Sequence, residues 1–331
     1  MEVKYGFRKM TIDEFEDYIS NLKIARTILF LQQHHTYKPS YVHFNGGNHF
    51  DLQQNMKQFH VAHNGWQDIG QHFTTFPDGS IITGRNIEKT PACILGNNAN
   101  AVCIENLGNF DKGADIMNAS QKETIIRMTA ALCRKFNLAI NTNKIVYHHW
   151  FDLSTGERNN GSKNNKTCPG SDFFGGNKVD DCKNNFLPLV YNLLQSDTPN
   201  PLTVSIVKYV SVKASVLNIR EGAGIDYEIV SNRKSVSQGS ILRVFAEKDG
   251  WLKISSSAEH WVYGKLTSVV KRVLVNADVL NVRTGPSTDF PKSSSLYKGQ
   301  EVFITDELNG WCRISMESRW VKMNYLDFIT N

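Results

Sequence analysis

The chain has 331 residues, with 37 basic and 32 acidic side chains and a formal net charge of +5. Its hydrophobic fraction of 40% and charged fraction of 21% are typical of globular proteins and exclude a disordered chain. No apolar run approaches the ~18 residues that a membrane span needs, and no long Lys/Arg block is present, so we expect neither membrane insertion nor a nucleic-acid partner.

The first residues contain no apolar segment after a basic start. This predicts that the chain has no Sec signal peptide and is synthesised and folded in the cytoplasm. Six cysteines among 331 residues are far below the density of a disulfide scaffold. Cys93, Cys103 and Cys133 lie among apolar neighbours, and we expect them to be small buried hydrophobic residues.

Residues 1–195 alternate predicted helices with predicted strands, a pattern typical of an α/β layer domain. Thr11 and Glu14 form a capping box that predicts the start of the first helix. An apolar strand over 27–31 runs into His34 and His35. The later predicted elements are a helix over 51–63, a hairpin over 71–84, a strand over 101–105, a helix capped by Ser120 and Glu123, a strand over 144–148, and a last helix over 179–193.

The C-terminal part of the chain repeats itself: the segment ASVLNIR at 214–220 matches ADVLNVR at 277–283. Each copy has short alternating strands separated by Gly, Ser and Asp turns, the pattern of a small all-β barrel. We therefore predict an α/β domain with a mixed central sheet flanked by helices, followed by two small all-β barrels. The predicted boundaries are 1–195 for the α/β domain, 196–204 for a linker, and 205–268 and 269–331 for the barrels.

Three residues with metal-binding side chains stand where a predicted strand or turn ends: His34, His148 and Cys168. A catalytic zinc takes three protein ligands and leaves a fourth position for water, and two histidines with one thiolate fit that set. Their long spacings match no short metal-binding motif. Structural histidines and a structural thiol therefore remain open at this point. The helical His-Glu-x-x-His motif of zinc proteases is absent.

Residues 24–190 resemble the zinc-dependent type-2 N-acetylmuramoyl-L-alanine amidases, whose fold is shared with peptidoglycan recognition proteins and phage amidases. Each matching motif is weak alone, but together and in this order they are specific. The motifs are His34-His35-Thr36, Asp68-Ile69-Gly70 with His72-Phe73, Asp78-Gly79 with Gly84-Arg85, Val102-Cys103-Ile104-Glu105, Ile145-Val146-Tyr147-His148, and Lys166-Thr167-Cys168-Pro169-Gly170.

The resemblance implies that zinc is bound by three ligands: His34, His148 and Cys168. It also implies that Glu105 is the catalytic base and that Lys166 stabilises the oxyanion.

Two neighbouring residues are not expected to take these roles. His35 is predicted to lie on the opposite face from His34, because side chains alternate along a strand. Many relatives carry a tyrosine at the position of Gln71, and its absence here leaves the role of base to Glu105.

The repeats resemble tandem bacterial SH3-type domains, most clearly through VLNVRTGPS at 279–287. The resemblance implies binding to peptidoglycan. We expect Trp251 and Trp311 in the barrel cores, whereas Trp261 and Trp320 stay open between core and binding surface.

The predicted function is a bacteriolytic peptidoglycan hydrolase. It would cleave the amide bond between N-acetylmuramic acid and L-alanine with zinc-activated water, while the SH3-type modules target the Gram-positive cell wall. Without a signal peptide, it would reach the wall as a phage endolysin released by lysis, or as a bacterial autolysin exported unconventionally. The alternatives are a non-catalytic peptidoglycan-binding protein and a thiol-dependent cell-wall endopeptidase that uses Cys168.

Overall fold

The computed structural model describes residues 1–196, 206–231 and 234–329, without the side chain of Ser196. These residues divide into two compact units. The first unit comprises Met1–Leu22 and the described residues from Ile28 to 196, and the second comprises Lys23–Thr27 and the described residues from 206 onwards. Apart from Ser196, the predicted linker 196–204 lies outside the described residues. Within the described ranges, no helix combines the length and apolarity needed to cross a bilayer.

A seven-stranded mixed sheet forms the centre of the first unit, in the order β1-β2-β5-β4-β6-β3-β7. The strands β4, β6, β3 and β7 are parallel neighbours, while β1, β2, β5 and β4 pair in an antiparallel manner. The strands are β1 Glu2–Lys4, β2 Phe7–Met10, β3 Phe30–His35, β4 Phe73–Thr75, β5 Ile81–Thr83, β6 Ala101–Asn106 and β7 Ile145–Tyr147.

The first unit also contains five α-helical segments, in which α1 packs on α3 and α3 packs on α5. They are α1 Ile12–Asn21, α2 His49–Ala62, α3 Ala119–Phe136, α4 Val179–Asp181 and α5 Leu187–Ser196. A π-helical turn, Cys182–Phe186, joins α4 to α5. This arrangement of a mixed sheet with packed helices confirms the predicted α/β class.

One of the two predicted helix caps is correct. The Thr11 hydroxyl accepts the backbone N–H of Glu14, and the Glu14 carboxylate accepts that of Thr11. The predicted cap at Ser120 is wrong, because α3 begins earlier and the Asn118 side chain accepts the N–H of Gln121. Asparagine is as good an N-cap as serine, and two candidates so close in sequence cannot be ranked by pattern alone.

The predicted strand over 27–31 starts too early. The strand β3 begins at Phe30, whereas Lys23–Thr27 belongs to the second unit. There the Thr27 N–H donates to the carbonyl of Ile241 at 2.7 Å, and Ala25 lies in the hydrophobic core. An apolar run predicts burial in either unit and does not say which.

Two of the three cysteines that were expected to be unpaired buried residues are bonded to each other. Cys93 and Cys103 form a disulfide, while Cys133 is a buried free thiol as expected. The low cysteine content argued against a scaffold of many disulfides. It could not exclude one bond between two residues that the fold brings together.

The second unit is all-β, and the described strands of the two repeats follow the same order around separate hydrophobic cores. The first repeat contains β8 Lys208–Val212, β9 Val216–Asn218, β10 Ser235–Ser237, β11 Ile241–Val244, β12 Ala246–Lys248, β13 Trp251–Lys253 and β14 Trp261–Tyr263. The second contains β16 Val279–Arg283, β17 Lys292–Tyr297, β18 Glu301–Ile304, β19 Asp306–Leu308, β20 Trp311–Arg313, β21 Trp320–Lys322 and β22 Leu326–Phe328.

One long strand, β15 (Thr267–Val275), is shared by the two repeats. Its first half pairs with β8 of the first repeat, and its second half pairs with β18 and β22 of the second. The predicted boundary between residues 268 and 269 therefore falls inside a continuous strand.

The four repeat tryptophans are not placed alike. Trp311 is buried as expected, and Trp261 and Trp320, whose positions were left open, are buried as well. The expectation for Trp251 is wrong, because this residue is only partly buried and its ring packs 5.3 Å from the ring of Tyr263.

Candidate metal centre and catalytic residues

The two candidate histidine ligands lie at the carboxyl ends of adjacent parallel strands. His34 is the last residue but one of β3, and His148 directly follows β7. The register pairs Gln33 with Tyr147, so the next residue on each strand is one of the two histidines. As a result the imidazole rings approach each other, with 4.8 Å between their centroids.

The third candidate ligand, Cys168, comes from a turn packed over the same edge of the sheet. Its Sγ lies 3.5 Å from Nδ1 of His34 and accepts the backbone N–H of His35 at 3.4 Å. The turn is held by His149, whose backbone N–H donates to the Cys168 carbonyl at 2.6 Å and whose Nδ1 lies 2.6 Å from the Lys166 carbonyl. Asp111 holds it from the other side by accepting the Thr167 hydroxyl at 2.9 Å.

The side chains of His34, His148 and Cys168 together fit a divalent metal ion. One ligand atom from each residue lies within 4.8 Å of the other two. His34 Nε2 is buried and has no hydrogen-bond partner among the described residues. Two imidazoles and one thiolate are a donor set that zinc accepts, with one position left over.

Burial favours the neutral form of both histidine ligands, because it lowers the pKa of each imidazole. It lowers the pKa of His34 well below the ordinary value, and the neighbouring His148 and Lys166 lower it further. Burial also lowers the pKa of His148 to about 3. Both rings are therefore neutral at physiological pH and each offers a nitrogen lone pair, as metal binding requires.

Glu105 lies on β6, where its register partner across the parallel ladder is His34. Burial raises the pKa of Glu105 to about 8, while the Lys166 ammonium pulls it down. Burial raises the pKa of the Cys168 thiol well above its ordinary value, and the charge of Glu105 raises it further. Lys166 itself is exposed. The five predicted site residues thus form one electrostatically connected group.

A buried polar network that sequence reasoning missed holds the end of β3. Asn106 Nδ2 donates to the His34 carbonyl at 2.7 Å and to Gln33 Oε1 at 3.1 Å. Asn106 Oδ1 accepts the Thr75 hydroxyl, which also accepts from Gln121 Nε2. These side chains are fully buried. The only sequence signal was the polarity of Thr75 and Asn106 next to apolar residues, because Gln33 and Gln121 lie among other polar residues.

The two residues expected to stand outside the ligand set are both buried. His35 Nδ1 accepts the backbone N–H of Phe110 at 3.1 Å, so this ring supports the loop after β6. Gln71 donates from Nε2 to the Thr74 hydroxyl at 3.0 Å, and its Oε1 has no hydrogen-bond partner among the described residues. His35 belongs to neither of the ligand groups found among the described residues.

Comparison with known families agrees with this geometry. Residues 25–171 match the family described as N-acetylmuramoyl-L-alanine amidase. Residues 278–327 match the family described as bacterial SH3 domain. The chain carries an amidase domain and a bacterial SH3 domain. The amidase match contains His34, Glu105, His148, Lys166 and Cys168, and the SH3 match lies in the second repeat.

Individual relatives cover mainly the amidase domain. YrvJ of Bacillus subtilis (strain 168), named as a candidate N-acetylmuramoyl-L-alanine amidase, is 29% identical over an alignment of 132 residues, and the match covers 33% of this chain. The matched part spans only 25% of YrvJ.

Solved structures also align with about half of the chain. Drosophila PGRP-LB is 17% identical, with 53% of this chain and 92% of that chain covered and a TM-score of 0.37. The amidase LysC from Clostridium intestinale URNW is 21% identical, with 52% and 93% covered and a TM-score of 0.34.

Proposed function

We propose that the protein is a zinc-dependent N-acetylmuramoyl-L-alanine amidase that hydrolyses peptidoglycan between the lactyl group of N-acetylmuramic acid and L-alanine. One observation carries this proposal. His34, His148 and Cys168 each place one ligand atom within 4.8 Å of the other two, inside the amidase domain and beside Glu105. The names of YrvJ and LysC support the same activity.

His34, His148 and Cys168 would hold the zinc ion. When bound, zinc supplies a Lewis acid that polarises the scissile carbonyl and lowers the pKa of a water molecule towards ~7. The backbone contacts described above fix the turn of Cys168 against β3, so the three ligands are in place before the ion arrives. Such a pre-formed site favours a defined coordination geometry.

Glu105 would act as general base and then as general acid. In the metal-free protein burial raises its pKa to about 8, and a carboxyl group whose pKa is raised towards neutrality is suited to proton exchange. The carboxylate takes a proton from the attacking water, and the same proton then passes to the leaving nitrogen of L-alanine. This transfer leaves Glu105 ionised again at the end of the cycle.

Lys166 would stabilise the negative charge that develops on the carbonyl oxygen. Its side chain is exposed at the rim of the site, and its ammonium acts electrostatically on Glu105, His34, His148 and Cys168. A fixed positive charge that meets an oxyanion lowers the barrier to acyl transfer.

The second unit would hold the enzyme on its substrate. Both repeats are proposed to be SH3-type modules, over 205–268 and 269–331, that bind peptidoglycan of the Gram-positive cell wall. Attachment through these modules raises the local substrate concentration without adding a catalytic contact. The proposed place of action is therefore the cell wall, for either an endolysin or an autolysin.

A thiol-dependent endopeptidase is less well supported. A nucleophilic cysteine needs a lowered pKa, whereas burial raises the pKa of Cys168 well above its ordinary value. A non-catalytic binding protein is disfavoured because both histidines, the cysteine and Glu105 are all present in one group.

Digestion of purified cell walls tests the proposal directly. We expect new free amines that are N-terminal alanine, no new reducing sugars, loss of release in a strong chelator, and recovery when zinc is added. Release of another N-terminal residue, new reducing ends, or indifference to the chelator would contradict the assignment.

A further inference from the structure

The disulfide Cys93–Cys103 lies beside the proposed metal centre. One ring nitrogen of His34 and the two sulfur atoms lie within 4.8 Å of one another. Cys103 is on β6, two residues before Glu105, and the parallel register pairs it with Gln32, two residues before His34. Because side chains alternate along a strand, Cys103 and Glu105 project from the same face of the sheet.

We propose that reduction of Cys93–Cys103 creates a second metal site, made of His34, Cys93 and Cys103, that competes with the first site for His34. The inference rests on the proposed zinc site. Two thiolates and one imidazole are also a zinc-binding set, and thiolates are soft donors that zinc and cobalt accept well. Nothing else in the two sets is shared.

The two sites exclude each other because of the chemistry of imidazole. A neutral imidazole carries a proton on one nitrogen and offers a lone pair only on the other. His34 is common to both ligand sets, so its one available lone pair can be donated to only one ion at a time. An ion drawn to Cys93 and Cys103 through His34 is therefore lost to His148 and Cys168.

The bond is open to exchange from one side. Cys103 is completely buried, whereas Cys93 is partly exposed in the loop before β6. The thiolate of a dithiol reductant attacks Cys93 Sγ, the S–S bond breaks, and Cys103 leaves as a thiolate. The second thiol of the reductant then displaces Cys93. The protein disulfide gains two electrons, and the dithiol is oxidised to its own disulfide.

Cobalt(II) spectroscopy on the intact chain tests the proposal. The protein is compared before and after reduction with dithiothreitol, which is removed before cobalt is added without oxygen. Cys133, Cys182, Cys312 and Cys168 are thiols in both states, so any difference comes from Cys93 and Cys103. We expect about a twofold rise in thiolate-to-cobalt absorbance on reduction, because two thiolates replace one.

Variants separate the two ligand sets. Cys168→Ala should remove the thiolate absorbance of the oxidised protein but not that of the reduced protein. Cys93→Ser should give the one-thiolate spectrum with or without reductant. Cys312→Ala, in the other unit, is the matched control and should respond to reduction as the wild type does. In the zinc-loaded wild type, reduction should slow wall hydrolysis about tenfold or more, and reoxidation should restore it.

The outcomes distinguish this inference from the proposed function. A thiol assay first confirms that Cys93–Cys103 has been reduced. If the oxidised and the reduced protein then show the same spectrum, with one thiolate bound to cobalt, the second site is refuted and the first stands. If the oxidised protein shows no thiolate absorbance, the proposed zinc site fails. A two-thiolate spectrum confined to the reduced protein, and lost in Cys93→Ser, supports the second site.

Discussion

His34 and Glu105 face each other across the parallel ladder between β3 and β6. One is a proposed metal ligand and the other the proposed base, and both are fixed by the hydrogen bonds of a central sheet rather than by a flexible loop. Their separation is therefore a property of the fold. A substitution at either residue should change the chemistry and leave the sheet in place.

Glu105→Gln should abolish most of the activity. The amide keeps the shape of the side chain but cannot take a proton from water, and loss of a general base costs roughly 10²- to 10⁴-fold in rate. Zinc content should stay at one per chain. Release of N-terminal alanine from walls measures the first effect, and elemental analysis measures the second. Glu123→Gln, the same change on the exposed side of α3, is the control. Full activity in Glu105→Gln would remove this residue from the mechanism.

The same substitution should make the metal-free protein less sensitive to pH. Burial raises the folded-state pKa of Glu105 from the ordinary 4.5 to about 8. Between these values the folded protein binds more protons than the unfolded chain, so the free energy of unfolding falls as pH rises. We expect Glu105→Gln to melt at the wild-type temperature near pH 4 and above it at pH 8. If the melting temperatures of the wild type and of Glu105→Gln differ by the same amount at every pH in this range, burial does not disfavour the ionised form of Glu105.

Lys166→Met should slow hydrolysis and also shift its pH profile. Removing one group that stabilises an oxyanion costs roughly 10²- to 10³-fold in kcat. The Lys166 ammonium also lowers the pKa of Glu105. Without it, Glu105 ionises at higher pH, and the acidic limb of the kcat profile should move upward. Lys163→Met removes a nearby exposed lysine that pairs with Glu157, and it should leave both the rate and the profile unchanged. An unshifted acidic limb in Lys166→Met would contradict the coupling.

The sequence predicted those features that depend on local pattern. Alternating helices and strands follow from periodicity, and the capping box at Thr11 is a local hydrogen-bonding motif. The candidate ligands His34, His148 and Cys168 came from their places at strand and turn ends, and the family resemblance raised them above the other histidines. The structure brings the three together, but their spacing in the sequence could not have shown it.

Features that depend on distant contacts could not be predicted in this way. The Cys93–Cys103 disulfide forms only when the loop that contains Cys93 folds back on β6. Asn106 is a polar residue in an apolar strand, and its side chain donates to the His34 carbonyl on the neighbouring strand. Lys23–Thr27 carries Lys23 and Arg26 as well as two apolar residues, and nothing in this local pattern assigns it to the second unit. Asn106 and its acceptor are 72 residues apart, and even the two cysteines, at a separation of 10 residues, meet only once the loop between them has folded, so the sequence alone does not record these contacts.

The shared strand β15 predicts that the two repeats unfold together. Leu242 is completely buried in the core of the first repeat, on β11, which reaches β15 through β8. Leu242→Ala should cost about 2 to 5 kcal/mol of stability. Because unfolding of β8 removes the partner of Thr267–Val270, amide exchange should accelerate in β16 of the second repeat as well as in β9 of the first. Val269→Ala, on the exposed face of β15, is the control and should accelerate neither. Faster exchange confined to the first repeat would show that the two barrels are independent in spite of their common strand.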